Sequence, residues 1–236
     1  MTDIDTGARL DEQRLELLRR RLNERGLRSV PVDTADDSTA SPLTEGQLRM
    51  WFVHAADPSG ALLNVCLSYR ITGEVDTARL HEAVNAVAQR HRVLRTTYRT
   101  EVTESGGDTG IPVPTVHRDL EPGWAEHDLR DLSERSRQLR LEVLAQREFA
   151  APFDLGVDSP LRITVIRTGP AELVMLLVAH HIAWDDGSWE VFFADLTRAY
   201  TGSPLEALRG GGGTAALPPG AGSDAADLEY WRGVMA

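Results

Sequence analysis

Two adjacent histidines, His180 and His181, close an apolar run that starts at Leu173, and Asp185, Asp186 and Gly187 follow in the same segment, HHIAWDDG. An imidazole titrates near neutral pH, so it can take a proton from an amine or hydroxyl as that group attacks. Successive side chains of a strand project to opposite faces. One ring of the pair is therefore expected in the core, holding hydrogen bonds to buried partners, and the other at the strand tip beside the loop. Asp185, four residues past His181, is a candidate for fixing that loop through a charge-assisted pair with an arginine. Arg162, on a neighbouring predicted strand, is the expected partner. The same alternation of side chains opposes a metal site built from two His and one Asp. The residues alone leave plainer readings open: two structural histidines, and two aspartates favoured ahead of a helix N-terminus.

The elements that must position these groups can be read from periodicity. Residues 43 to 54 have helical spacing with Thr44 as cap, and residues 77 to 91 return to the helical period through Leu80, Val84 and Val87. Val65, Leu67, Tyr69 and Ile71 alternate with polar residues as a half-buried strand. Strands are expected at 94 to 100 and 113 to 116, with a Gly-rich turn at 105 to 110 between them. A charged amphipathic helix covers 131 to 148, and a strand runs from Leu161 to Ile166. Leu173 to Ala179 is continuously apolar, the mark of a strand buried on both faces. A helix over 189 to 200 follows, with Ser188 as its expected cap. Helices and strands mix, so the fold class is α/β or α+β. The spacing of six leucines predicts a further helix over 9 to 27. A polar linker covers 28 to 41, and a Gly/Pro-rich linker runs from 202 toward the apolar fragment LEYWRGVMA.

Composition narrows the chemistry. The 25 basic side chains are all arginine, so no lysine is present for a Schiff base, a pyridoxal anchor or a phosphate loop. The net charge of −11 argues against broad nucleic-acid binding. A single cysteine, Cys66, provides neither a disulfide framework nor a thiolate zinc site. The polar, acidic first residues do not read as a signal peptide, and the longest apolar stretch is far short of the roughly 20 residues that span a bilayer. A cytoplasmic protein with no membrane partner is the expectation.

Four segments resemble a known family. HHIAWDDGSWEVFFADL is similar to the HHxxxDG motif of the condensation domains of nonribosomal peptide synthetases. Its HHxxxD core is shared with the wider chloramphenicol acetyltransferase-like acyltransferases. SPLTEGQLRMWF (41–52) resembles the family's PLSxAQxRLWF, NAVAQRHRVLRTTY (85–98) its RHExLRTxF, and FDLGVDSPLR (153–162) its FDLxxxPLxR. There are departures. Asp186 stands in the place of the motif glycine, with Gly187 one position later. Arg92 replaces a glutamate, and Pro160 falls one place late while Arg162 keeps its distance from Phe153.

The resemblance implies a chloramphenicol acetyltransferase-like lobe, a mixed central sheet flanked by helices, over residues 41–201. It implies that the parent enzyme has two related lobes, of which these 236 residues hold the first, inactive alone. The implied reaction is amide formation, in which the amine of a carrier-bound aminoacyl group attacks the thioester of a donor acyl or peptidyl group. His181 is the implied catalytic residue, as base or as positioning group, with His180, Asp185, Arg162 and Gly187 as its structural supports. No metal or redox cofactor is implied, since the phosphopantetheine arms belong to the carriers. The implied partners are the upstream and downstream peptidyl carrier proteins, an adjoining adenylation domain and the C-terminal lobe, in the setting of antibiotic and other secondary metabolism. The leading helix would then be a linker or docking element. Two alternatives stand beside this expectation: a coenzyme A-dependent HHxxxD acyltransferase, and a non-catalytic platform that recruits a carrier or another partner.

Overall fold

The apolar run ahead of the two histidines becomes the spine of the molecule. The computed structural model describes residues 43–57, 59–102 and 108–205. The expected helix over 9–27, the linker at 28–41, residues 105–107 of the expected turn and the segment beyond 205 lie outside these described residues. Strand β6 (Glu172–His180) is buried at every position after Glu172, and each large apolar side chain so removed from water stabilises the fold by roughly 1.5–3 kcal/mol. Burial of that kind requires neighbours on both edges and layers on both faces. Strand β1 (Asn64–Thr72) pairs antiparallel along one edge of β6, and β5 (Leu161–Gly169) pairs antiparallel along the other. Strand β4 (Gly123–Asp128) then pairs parallel to β5, giving a mixed sheet in the order β1-β6-β5-β4. Strands β2 (Thr96–Val102) and β3 (Asp108–Val116) form a separate antiparallel ladder.

Alternation sorts the side chains into two layers. Odd-numbered residues Leu161, Ile163, Val165, Met175 and Leu177 pack against α2 (Thr77–Arg90) and α4 (Asp186–Thr201), through Val84, Val87, Phe192 and Leu196. Even-numbered Ile166, Val174 and Leu176 pack against Leu144 of α3 (Glu134–Ala150). At the end of this second face, Val178 joins Tyr98, Phe153, Leu155 and Ile182, and Leu43, Met50 and Trp51 from α1 (Glu45–Ala56) and the residues just ahead of it cover them. The result is the α/β architecture expected from the mixed periodicities.

Three expectations shift. Strand β3 begins at Asp108, inside the expected turn and ahead of the expected strand at 113. Leu94 lies in a 3-10 turn, Arg92–Arg95, and β2 begins only at Thr96. Strand β4 has no counterpart among the expected elements. Its sequence GWAEHD has a weak burial pattern because it lies at an edge of the sheet, held through its backbone ladder to β5.

The parallel β4–α3–β5 connection needs a firm end to α3, yet no glycine supplies a left-handed cap there: Ala151 is extended. Side chains from the sheet capture the last carbonyls instead. Asn64 Nδ2 donates to the carbonyls of Phe149 (3.0 Å) and Ala151 (2.8 Å). Arg162 donates to those of Glu148 (2.8 Å), Ala151 and Pro152 (3.2 Å). Its guanidinium also lies 4.1 Å from the centre of the Phe153 ring. Arg162→Met removes these donors while keeping much of the bulk. Urea denaturation is expected to show a loss of about 3 kcal/mol, with Arg162→Lys recovering only part of it. A wild-type midpoint for Arg162→Met would refute this account of the helix end.

Candidate active site

Strand β6 ends at His180, where Asn64 pairs opposite and the His180 N–H reaches the Pro160 carbonyl at 2.9 Å. His180 is fully buried, whereas His181, one residue on, is exposed. A tight turn follows, in which the Ala183 N–H returns to the His180 carbonyl (2.9 Å), and α4 begins at Asp186. The chain thus places the two rings on opposite sides of one peptide.

Hydrogen bonds fix the protonation of each ring. Nδ1 of His180 accepts the Ile182 N–H at 3.1 Å, so its proton sits on Nε2, which faces Nδ1 of His54 at 3.3 Å. The rings of His54 and Phe153 meet His180 edge-on. Burial, with His54 and His181 close by, pushes the His180 pKa down to about 3. Burial also lowers that of His54, although Asp57 and Asp154 oppose it. His181 is held differently. Its Nδ1 lies 2.6 Å from the Trp184 carbonyl, an acceptor, so Nδ1 carries a proton and the neutral form of the ring has its lone pair on Nε2. Its backbone N–H is tied to the Leu63 carbonyl at 2.9 Å.

His181 lines an open cleft of about 450 Å³ together with Gln47, Met50, Val93, Trp184 and Asp185. A second cleft of about 370 Å³ shares Val93, Ala183, Trp184, Asp185 and Ser188 and extends to His91, Val191 and Phe192. Trp184 is the buried wall between them, braced edge-on by Trp189 and Phe192. Among the described residues no group of three or more His, Cys, Asp or Glu side chains could hold a metal ion.

Two sequence expectations are corrected. Arg162 and Asp185 do not pair. Arg162 projects on the face that carries α3 and commits its donors to the carbonyls there, while Asp185 heads α4 on the opposite face. Asp185, not Ser188, is the cap of α4: its Oδ1 accepts the Ser188 N–H (3.0 Å) and hydroxyl (2.7 Å). These bonds, the hydroxyl's first, hold its carboxyl below the usual range against the opposing effect of burial. The Gly187 N–H also bonds to the Asp185 carboxylate, and the φ of Gly187 is not positive. Its neighbour Asp186 is exposed in the first turn of α4, where a carboxylate is favoured. The change from the motif glycine therefore imposes no backbone strain.

Gln47 and His54 belong to the site although the sequence reading does not place them there. Gln47 Nε2 lies 3.5 Å from the Ile182 carbonyl, and His54 contacts His180. Their spacing of seven on one predicted helix is the available signal, because it places both on one face.

The family model of the Condensation domain matches residues 37–211. A linear gramicidin synthase polypeptide of Brevibacillus parabrevis is 33% identical over 175 residues, which are 74% of this chain and 2% of that protein. The starter condensation domain of rhizomide synthetase superposes with a TM-score of 0.61 at 17% identity, over 72% of this chain and 40% of that one. The X-domain from teicoplanin biosynthesis does so with a TM-score of 0.56 at 28% identity, over 85% of this chain and 40% of that one. The chain therefore spans less than half of these solved structures and a small fraction of the synthase.

The buried His180 carries a pH signature. An unfolded histidine takes up a proton near pH 6.5, whereas the folded ring does so only near pH 3. Throughout that window the unfolded state binds more protons, so stability falls as the pH is lowered. Between pH 7 and 5 this one group should cost about 2 kcal/mol. In His180→Asn, which keeps an acceptor for the Ile182 N–H, the slope of stability against pH over that interval is expected to be shallower by about 0.7 proton on average. Thermal denaturation at a series of pH values measures it, and an equal slope in the two proteins would count against a neutral, buried His180.

Proposed function

The chain belongs to the condensation-domain family, and from that premise we propose that it is the N-terminal lobe of a nonribosomal peptide synthetase condensation domain. The reaction joins a donor acyl or peptidyl thioester, carried on one phosphopantetheine arm, to the amine of an aminoacyl group carried on another. The observation that carries this reading is His181. It stands exposed in a cleft with Nδ1–H engaged by the Trp184 carbonyl, which leaves the Nε2 lone pair for an incoming N–H. As the amine nitrogen bonds to the thioester carbonyl carbon, its proton passes to Nε2. Collapse of the tetrahedral centre breaks the C–S bond, and the departing sulfur takes up that proton. His180, Asp185, Arg162 and Gly187 act at one remove: His180 through Ile182, Asp185 and Gly187 through the start of α4, and Arg162 through the end of α3 and Phe153.

The partners in this reading are an upstream and a downstream peptidyl carrier protein, an adjoining adenylation domain and the C-terminal lobe that completes the cleft. No cofactor binds the lobe itself. No helix among the described residues is long and apolar enough to cross a membrane, and the reading places the work in the cytoplasm. The unstrained position of Asp186 at the head of α4 supports a catalytic lobe over a non-catalytic platform.

In the intact condensation domain, with both carriers loaded, His181→Ala is expected to lower product formation about 100-fold or more, as measured by mass spectrometry of the elongated carrier. Turnover at the wild-type rate would overturn the assignment.

A further inference from the structure

We propose that α1 is a two-point clamp on the turn that carries His181, with Gln47 and His54 as positioning residues for the reaction. The inference rests on reading His181 as the reacting side chain. The clamp begins in the capping box of α1. The Thr44 N–H donates to Gln47 Oε1 at 3.1 Å, and the Gln47 N–H donates to Thr44 Oγ1 at 3.2 Å. With its oxygen engaged at the helix end, the buried Gln47 amide presents its NH2 to the Ile182 carbonyl, 3.5 Å away. Two helical turns on, roughly 10 Å along the axis and on the same stripe, His54 accepts Nε2–H of His180 at 3.3 Å. His180 in turn accepts the Ile182 N–H at 3.1 Å.

Both backbone groups of Ile182 therefore lead back to α1, one directly and one through His180. The Ile182 side chain is buried in the cluster that Met50 and Trp51 cover, so the same helix holds this residue by packing as well. His181 directly precedes Ile182. The carbonyl that orients its ring belongs to Trp184, two residues beyond Ile182. The distance between ring and carbonyl is therefore set by the peptides that α1 holds. Neither Gln47 nor His54 needs to touch a reacting atom. Each acts by keeping Nδ1–H of His181 on its acceptor, and a small misplacement of a reacting group has a large effect on rate.

One substitution separates the clamp from the stability of the helix. Gln47→Glu retains the capping box, since Glu and Gln serve equally at that position, but it has no N–H to offer the Ile182 carbonyl. In the intact condensation domain with loaded carriers, Gln47→Glu is expected to lower kcat about 10-fold with KM for both carriers unchanged and an unchanged far-ultraviolet circular dichroism spectrum. His54→Leu is expected to lower kcat to a similar extent, with a lower melting temperature because Nε2–H of the buried His180 loses its acceptor, and His54→Asn, which keeps an acceptor toward His180, to recover most of the rate and of the stability. In ¹⁵N imidazole spectra, the His181 signal is expected to move from a single Nδ1–H tautomer toward a mixture in both deficient variants. A wild-type kcat and an unchanged His181 tautomer in Gln47→Glu and His54→Leu, alongside an inactive His181→Ala, would overturn the clamp alone. An active His181→Ala would instead overturn the reading on which it rests.

Discussion

A neutral imidazole sealed at the end of β6 is the constraint around which the site is arranged. His180 has no exposed surface, so charging it would place a cation in the core without a counterion. Kept neutral, the ring has one donor and one acceptor, and both need partners within the protein. The acceptor takes the Ile182 N–H, which folds the chain back on itself immediately after the strand, and the donor turns to His54 on α1. A turn so constrained leaves the intervening residue, His181, no place in the core. The exposed histidine is thus a consequence of how the buried one is satisfied.

Arg162 extends the same logic to the second face of the sheet. A cation with much of its surface buried needs acceptors, and the open C-terminus of α3 offers carbonyl oxygens that need donors. Each resolves the other's deficit. The guanidinium then lies over Phe153, whose ring meets His180 edge-on, so the end of α3 and the end of β6 are joined through one aromatic side chain. This explains why a family-like FDL segment and an arginine nine residues later stand together in the sequence although neither lines the His181 cleft.

The parts legible in the sequence are those in which one local rule dominates. Continuous apolarity marks β6, alternation marks β1, and a Thr ahead of an amphipathic stretch marks the start of α1. Opposed faces for His180 and His181 follow from strand geometry alone. Strand β4 escapes because an edge strand held by its ladder need not carry an apolar pattern. The pairing of Asp185 with Arg162 fails because opposite charge says nothing about which face of a sheet each residue occupies, or which backbone groups compete for it. His54 could not be foreseen as a partner of His180, 126 residues away, since only the packing of α1 across the strand end brings them together. Local periodicity carries the elements, whereas the polar contacts among them depend on tertiary arrangement.

The order of strands has a consequence in time. Among the described residues strand β1 has a single neighbour in the sheet, β6, and its residue Asn64 lies opposite His180, more than a hundred positions later. Until β6 has been synthesised, β1 has no ladder to join, and closing so long a loop is a slow step for a growing chain. The β4–α3–β5 unit, whose strands are nearer in sequence, can form earlier by comparison. Leu63, which anchors the backbone of His181, comes into register only when β1 docks. His181 is therefore held by Leu63 only once β1 has docked, and a lobe caught before that event would lack this anchor of the turn.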